Sequence, residues 1–373
     1  MASTSSHKPV AKAYTPQNFH FPKCAKGMQC DAAGSFPDLG QAGAIKKYCP
    51  SKPTTVAYLD GQGNNQYRKI AHAEFVAEAG VCKTLKTVYD NANDSETTYL
   101  SDLNSLVSQG IKVIVTYDDF GCAVLPEIRK AYQHGVQIVG WASPVCASAV
   151  AGKDYTGLVI ENNYAVGQDA ALYLNKQLHG KGNLIYVAGT PGNLLDGDWL
   201  AGFRSKADPG LKLLATAQGG WTLDGNTQSV LPLVSKYKKI DAIITSYTAT
   251  AAGAVQDFIN AHKPVPILVG QSDDMQNVCQ YWQVHKKQKS FQTYSLDGDQ
   301  MFIRVALRLA LTKAEGKKDT VDPPLNHGEI LIDNQPFINT SAGQIPKCNS
   351  HQPPGVDFAS DLPASQVVQI SAS

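Results

Sequence analysis

Apolar residues along most of this chain alternate between two spacings, one of strands and one of helices. Residues 237–274 show the pattern in compact form. Ile240, Ala242, Ile243 and Ile244 make an apolar run too short for a helix, and Ala251, Ala254, Val255, Phe258 and Ile259 then recur at helical spacing. Ile267, Leu268 and Val269 form a second short run, ending at Gly270 and the polar stretch Gln271–Asp274. This is a strand–helix–strand unit. Parallel strands joined in this way place their loops along one carboxyl edge, where α/β folds bind ligands. Tyr247 and Ser272 belong to those loops.

The same alternation begins at Thr54. It predicts strands at Val56–Asp60, Lys112–Thr116, Gln137–Trp141, Asn183–Ala188, Asp241–Thr245 and Ile267–Gly270, with a weaker one near Thr84–Tyr89. Helices are expected at Gln66–Ala79, Glu96–Ser108, Leu125–Tyr132, Tyr164–Leu178, Thr227–Lys236 and Ala249–Ala261, and a late one at Gln300–Leu311 precedes a short strand, Glu329–Ile332. Such alternation means α/β with parallel sheets. The series reads as two similar halves meeting near Tyr155–Asn163. Residues 1–52, rich in Pro, Gly, Ser and Lys, read as an extended arm pinned by cysteines, and the Pro-rich C-terminal stretch as a tail.

Length supports the division, since 373 residues exceed the usual single core. A formal net charge of +1 with 17% charged residues leaves no electrostatic footprint for nucleic acid or an anionic membrane. No apolar run approaches the roughly 18 residues of a membrane span. MASTSSHKPV has no apolar leader region, which leaves a cytosolic chain or an exported chain whose leader has been replaced. Cysteine usage favours export. There are eight: Cys24, Cys30, Cys49, Cys82, Cys122, Cys146, Cys279 and Cys348, none at C-x-x-C spacing. Cys49 and Cys82 precede two expected strands, while Cys122 and Cys146 follow two others. Neighbouring parallel strands would bring each pair together, so Cys49–Cys82 and Cys122–Cys146 are expected bridges. Cys24–Cys30 would close a small loop, leaving Cys279–Cys348.

Motifs for catalysis are weak. Asp60–Gln66 follows a strand and opens a helix, but Gln66 stands where a dinucleotide loop needs its third glycine. Gly189-Thr-Pro-Gly192 lacks the Lys-Ser/Thr of a phosphate loop. His72, His134 and His262 are scattered on helices or at their ends. No catalytic residue, metal site or cofactor is assigned. Aromatic placement says more: Trp141, Trp199 and Trp221, with Tyr67, Tyr117 and Tyr247, fall at expected strand ends or in the loops beyond them. Flat rings stack on the apolar faces of sugars and on aromatic or cationic ligands. Asn64, Asn65, Asp118, Asp119, Glu161, Asn162, Asp273 and Asp274 could add polar groups.

The order of elements over Thr54–Ile332 resembles the periplasmic binding proteins of the ribose/galactose type, the type I solute receptors of ABC importers. The resemblance is carried by Asn64-Asn-Gln-Tyr-Arg68, Val159-Ile-Glu-Asn-Asn163, Gly189 with Ala201-Gly-Phe-Arg204, Trp221-Thr-Leu-Asp224, the Ile240–Ala254 unit and Leu268-Val-Gly270. It implies two doubly wound parallel-sheet lobes joined by a three-strand hinge, with a solute in the cleft between them. On that pattern the chain crosses near Tyr155–Ile160, Tyr294–Asp297 and Asn326–Leu331. The lobes would be 53–157 plus 297–326 and 158–296 plus 327–345, with 1–52 as an extension and 346–373 as a tail.

The resemblance further implies an extracytoplasmic, monomeric receptor that hands its solute to a membrane permease, without catalysis. Its sugar binders usually carry Asp-Arg after the fourth strand, where this chain has Trp141-Ala142. Their Arg before the Gly-Phe pair corresponds to Trp199, their Asn after the Ile240–Thr245 strand to Tyr247, and their Asp after Gly270 to Ser272, beside Asp273. Trp221 keeps the usual aromatic. Rings thus replace several charged clamps. The expected ligand contacts are Asn64, Asn65, Tyr67, Asp119, Trp141, Asn162, Trp199, Trp221, Tyr247, Ser272 and Asp273. The expected solute is a sugar-like compound or polyol, with an aromatic or cationic solute as the alternative. A signalling receptor shares the fold, as does a lac-type repressor, for which residues 1–52 offer no helix-turn-helix.

Overall fold

A computed structural model describes residues 42–248, 251–271, 287, 292–296, 298, 300–332, 336–342 and 362–371. In chain order the first half runs β1 (Thr54–Asp60), α1 (Gln66–Gly80), β2 (Leu85–Asn91), α2 (Glu96–Ser108), β3 (Val113–Tyr117), α3 (Leu125–Gln133), β4 (Gln137–Trp141) and β5 (Gly157–Glu161). The second runs α4 (Asn163–Gln177), β6 (Lys181–Ala188), α5 (Leu195–Lys206), β7 (Gly210–Gln218), α6 (Leu223–Lys236), β8 (Ala242–Thr245), α7 (Ala251–Asn260), β9 (Ile267–Gln271) and β10 (Thr293–Leu296). Then come α8 (Phe302–Ala314), β11 (Glu329–Ile332), β12 (Pro336–Asn339) and α9 (Ala364–Ser371).

The strands form two sheets with the same winding. One is ordered β2-β1-β3-β4-β5-β11 and the other β7-β6-β8-β9-β10-β12. Every pairing is parallel except β12, which runs antiparallel to β10. Helices cover both faces, so β3, β4 and β5 are buried almost throughout and read as continuous apolar runs. In each sheet the strand order reverses beside the first strand, at β1/β3 and at β6/β8. Such switch points open a crevice at the carboxyl ends.

The chain passes between lobes after β5, after β10 and after β11. The expected boundaries put residues 158–296 and 327–345 in the second lobe. The pairing instead keeps β5 and β11 in the first sheet, with Leu158–Glu161 in register against Glu329–Ile332 and Val159 beside Trp141. A strand buried on both faces carries no mark of which sheet it joins, so its sequence could not decide this. The helix α5 and the strand β7 were not expected from the spacing either. Gly-rich contacts explain α5: a Cβ on Gly167 or Gly202 would overlap the backbone of the facing helix, so α4 and α5 pack backbone to backbone.

Residues 42–48 are not a loose arm. Ala44–Tyr48 form a 3-10 turn with Ile45 and Tyr48 buried, and Gly43 and Ile45 donate their N–H groups to Glu78 at 2.6 and 2.8 Å. Both expected bridges in the described region are present, Cys49–Cys82 and Cys122–Cys146. Cys24, Cys30, Cys279 and Cys348 lie outside the described residues. Within the tail, α9 rests on α1 through Leu362 and Val367 against Ile70.

Candidate functional site: an aromatic cleft between the lobes

The first lobe builds its side of the cleft from α1 and the ends of β3, β4 and β5. Asn65 caps α1, its side chain accepting the Arg68 N–H at 3.0 Å, and this fixes the first turn that carries Tyr67 and Arg68. Tyr67 stacks on Trp141, with ring centroids 5.7 Å apart and planes 6° apart, and Tyr117 meets Trp141 edge-on at 5.3 Å. The second lobe contributes Leu195, Trp221, Ser246, Tyr247 and Gln271. Together with Asn65, Tyr67, Arg68, Tyr117, Ala142 and Glu161 they surround a cavity of about 30 Å³. That is room for about a water molecule, well below the about 300–1,000 Å³ of small-ligand pockets, so the lobes stand closed against each other here. Leu195, Trp221 and Tyr247 join the same apolar cluster as Tyr67, Tyr117 and Trp141, so the rings of both lobes form one packed surface.

The lobes touch across this space. Gln62 donates to the Gly220 carbonyl at 2.8 Å, Asn65 to the Trp221 carbonyl at 3.4 Å, and the Tyr67 N–H to the Tyr247 hydroxyl at 3.2 Å. Gln271 donates to Glu161. Oε1 of Gln271 is buried and has no partner among the described residues, as is true of Nε1 of Trp141. A buried amide oxygen so placed is an acceptor waiting for a donor.

Charge lies behind the rings rather than on them. Arg68, buried like its partners, pairs with Asp60 and, through Nη2, with both oxygens of Asp119 at 2.8 and 3.0 Å; its guanidinium also covers the Tyr117 ring. Burial works against the charge of Arg68, but Asp119 and Asp60 outweigh it and hold its pKa well up. Burial pushes the Asp119 carboxyl up to about 6 against the pull of Arg68. It pushes Asp118 up as well, against the N–H groups of Phe120 and Gly121. A guanidinium shared by two carboxylates has little left for an anionic solute.

The expected contacts divide accordingly. Asn65, Tyr67, Trp221 and Tyr247 line the cleft, and Trp141 backs Tyr67 from full burial. Asp119 holds Arg68 from behind the lining. Asn162 caps α4 at the hinge, accepting the Ala165 N–H at 3.1 Å, and Asn64 is exposed on a neighbouring groove. Trp199 is a correction: it is fully buried in the second lobe, between Tyr186 and Phe203, and does not reach the cleft. It falls on α5, whose presence the spacing did not reveal, so it was read as a loop residue. Ser272 and Asp273 lie outside the described residues. Arg68, Ala142, Leu195, Ser246 and Gln271 line the cleft without having been chosen as contacts. Arg68, Ala142, Ser246 and Gln271 were visible as neighbours of chosen residues; Leu195 carried no separate signal.

A family profile described as a periplasmic binding protein domain matches residues 57–318. The chain belongs to that family. Among curated proteins, it is 22% identical over 257 residues to a xylitol-binding protein of Mycolicibacterium smegmatis, covering 67% of this chain and 70% of that one. It is 24% identical over 179 residues to the D-xylose-binding periplasmic protein of Escherichia coli, covering 46% and 52%. Among solved structures, the fructose-binding periplasmic domain of a hybrid two-component system superimposes with a TM-score of 0.66 at 18% identity, covering 77% of this chain and 91% of that one. Two α/β lobes around a central cleft are thus the fold of the family, whose members are binding proteins.

Proposed function

We propose that this chain is the extracytoplasmic solute receptor of an ABC importer and holds a small neutral sugar or polyol in the interlobe cleft, without catalysis. The observation that carries the reading is the cleft itself. Tyr67, Tyr117, Trp221 and Tyr247 wall it, contacts between the lobes cover it, and the buried acceptor of Gln271 lines it. Rings take the C–H faces of a carbohydrate, and a lone acceptor takes one of its hydroxyls. The names of the two curated relatives, which bind a five-carbon polyol and a five-carbon sugar, support a solute of this size. Closure on the solute would present a joint surface of both lobes to a permease.

A ring-caged cation is the second reading. It is favoured by the two carboxylates that pair with the one arginine of the lining, Asp60 and Asp119, and by Glu161 in the lining itself. Thermal shift and calorimetry with xylitol, D-xylose, fructose, their sugar acids and quaternary amines separate the two. Stabilisation by the neutral compounds and none by the acids is the expected result. Stabilisation by amines alone would shift the assignment to a cation, and turnover of a bound compound would sink the receptor reading.

A further inference from the structure

Trp221 stands on the second-lobe wall in a backbone conformation that bulky residues rarely adopt, φ +52°, directly after Gly220 at φ +60°. Its ring is seated on bare backbone. A Cβ on Gly189 would overlap indole atoms Cε2, Cζ2 and Cδ2, so only glycine leaves room for the ring there.

The polar edge of the indole is tied down as well. Nε1 donates to Ser246 Oγ at 2.9 Å, and Ser246 Oγ donates onward to Asp196 Oδ1 at 2.6 Å. The same carboxylate accepts the Tyr186 hydroxyl and, through Oδ2, the Gly189 N–H at 2.7 Å. Asp196 lies in the first turn of α5, where the helix dipole favours a negative charge. A carboxylate only accepts and an indole N–H only donates. The single hydroxyl proton of Ser246 therefore goes to Asp196, and its lone pair receives the indole. Neither the Trp221 N–H nor the Ser246 proton is then offered to a solute, although both residues line the cleft.

We infer that Asp196, acting through Ser246, is a positioning residue that fixes the Trp221 indole as a stacking wall, so that the receptor reads a C–H face of its solute here and not a hydroxyl. This deepens the receptor reading and rests on it for the solute. The orientation of the ring does not depend on any solute.

The test uses the full chain labelled with 5-fluorotryptophan, in which Trp221→Phe identifies the Trp221 resonance. Ser246→Ala and Asp196→Asn should each move and broaden that resonance while leaving that of Trp141 in place, Asp196→Asn also reaching Trp199 through Tyr186, and Ser246→Thr, which keeps the hydroxyl, should restore it. An unmoved Trp221 resonance in Ser246→Ala overturns the inference, whether or not Asp196→Asn folds. Xylitol affinity by calorimetry supplies the second readout. Ser246→Ala should weaken binding by about 5- to 20-fold in the native background, as for loss of one hydrogen bond. In the Trp221→Phe background, which has no N–H to lose, it should have no further effect. Equal losses in both backgrounds would mean that Ser246 contacts the solute itself. If xylitol does not bind the native chain, the solute assignment fails, and the resonances alone decide the ring's support.

Discussion

Asn193 of the second lobe donates from Nδ2 to Asp119 Oδ1 of the first at 3.0 Å, and the same amide reaches the Asp118 carbonyl at 3.4 Å and accepts Ser143 Oγ at 3.1 Å. All four residues are buried, and neither Asn193 nor its three partners line the cleft. A clasp between lobes therefore sits beside the cleft, built from protein groups alone. Its neighbours fit tightly: a Cβ on Gly121 would approach the Gly192 carbonyl oxygen to 3.2 Å.

Asn193→Ala removes this clasp and the acceptor of the Leu195 N–H at 2.9 Å, while leaving every lining side chain in place. Losing these bonds costs closure about 1–3 kcal/mol, which for a solute that binds the closed form means roughly 5- to 150-fold weaker affinity. Small-angle scattering of the variant without solute should show a larger radius of gyration, and calorimetry the weaker binding. An unchanged radius together with unchanged affinity would show that the clasp does not contribute to closure.

Three buried carboxyls set an unusual pH dependence. Burial raises Asp119, Asp257 and Asp322 to about 6, in each case as the largest effect, with Arg68 opposing it at Asp119 and Arg308 at Asp322. A carboxyl raised on folding binds its proton more tightly in the native state. Stability then falls as pH rises from about 4, the unfolded value, through 6. His72, lowered by burial, and Asp154, lowered by its hydrogen bond to Arg129, act the other way, but burial also raises Asp90, Asp94, Asp102, Asp118, Asp196 and Glu329. Urea unfolding at pH 4.5, 5.5 and 7 should give the highest stability at the lowest of these. Asp257 isolates the effect, because its Oδ2 is buried without a partner among the described residues. Asp257→Asn should flatten the profile and gain on the order of 1 kcal/mol at pH 7. A loss of stability in that variant would mean that the charge is compensated.

The buried ion pairs under α8 anchor the N-terminal segment. Arg308 pairs with Glu78 at 3.0 Å and with Asp322 at 2.6 Å, and Glu78 also holds the N–H groups of Gly43 and Ile45. Arg308→Met would strand two buried carboxylates, at a cost of about 3–5 kcal/mol. Glu78→Gln keeps the size and an acceptor and should cost less. Limited proteolysis should then cut near residues 43–48 in Arg308→Met well before it cuts the native chain. Equal resistance in both would remove Arg308 from the anchor.

What the sequence revealed and what it hid divides along physical lines. Strands β1, β3, β4, β6, β8 and β9 are short apolar runs bounded by polar loops, a local signal that survives burial. Cys49–Cys82 and Cys122–Cys146 followed from the same reading, because parallel neighbours bring their ends together. The site was legible only in part. Asn65, Tyr67, Trp221 and Tyr247 lie on the carboxyl edge, where loop residues face the crevice. Which neighbour turns inward depends on one or two residues of register: Gln271 ends β9 facing the cleft, immediately before the expected Ser272. β7 escaped notice because its burial pattern is mixed, with exposed and half-buried positions interleaved at a sheet edge. The first and third crossings fall after β5 and β11 rather than within them, because strand periodicity does not report sheet membership; the second lies where it was expected, at the end of β10.

Trp199 shows how far one missed helix can mislead, and it offers a clean discrimination. As a loop residue it would stack on the solute; as a residue of α5 it fills the second lobe. Its ring lies 5.5 Å from Tyr186 and 5.9 Å from Phe203, the latter stacked at 10°. Trp199→Ala should therefore cost about 3–5 kcal/mol of stability through the cavity it leaves. Its effect on solute affinity should be small wherever the variant remains folded. Trp221→Ala should do the reverse, lowering affinity strongly and stability modestly, because its ring is held at the cleft wall. Denaturation midpoints and calorimetric affinities measured on both variants separate the roles. If Trp199→Ala weakened binding as much as Trp221→Ala at unchanged stability, its place in the core of the second lobe would be wrong.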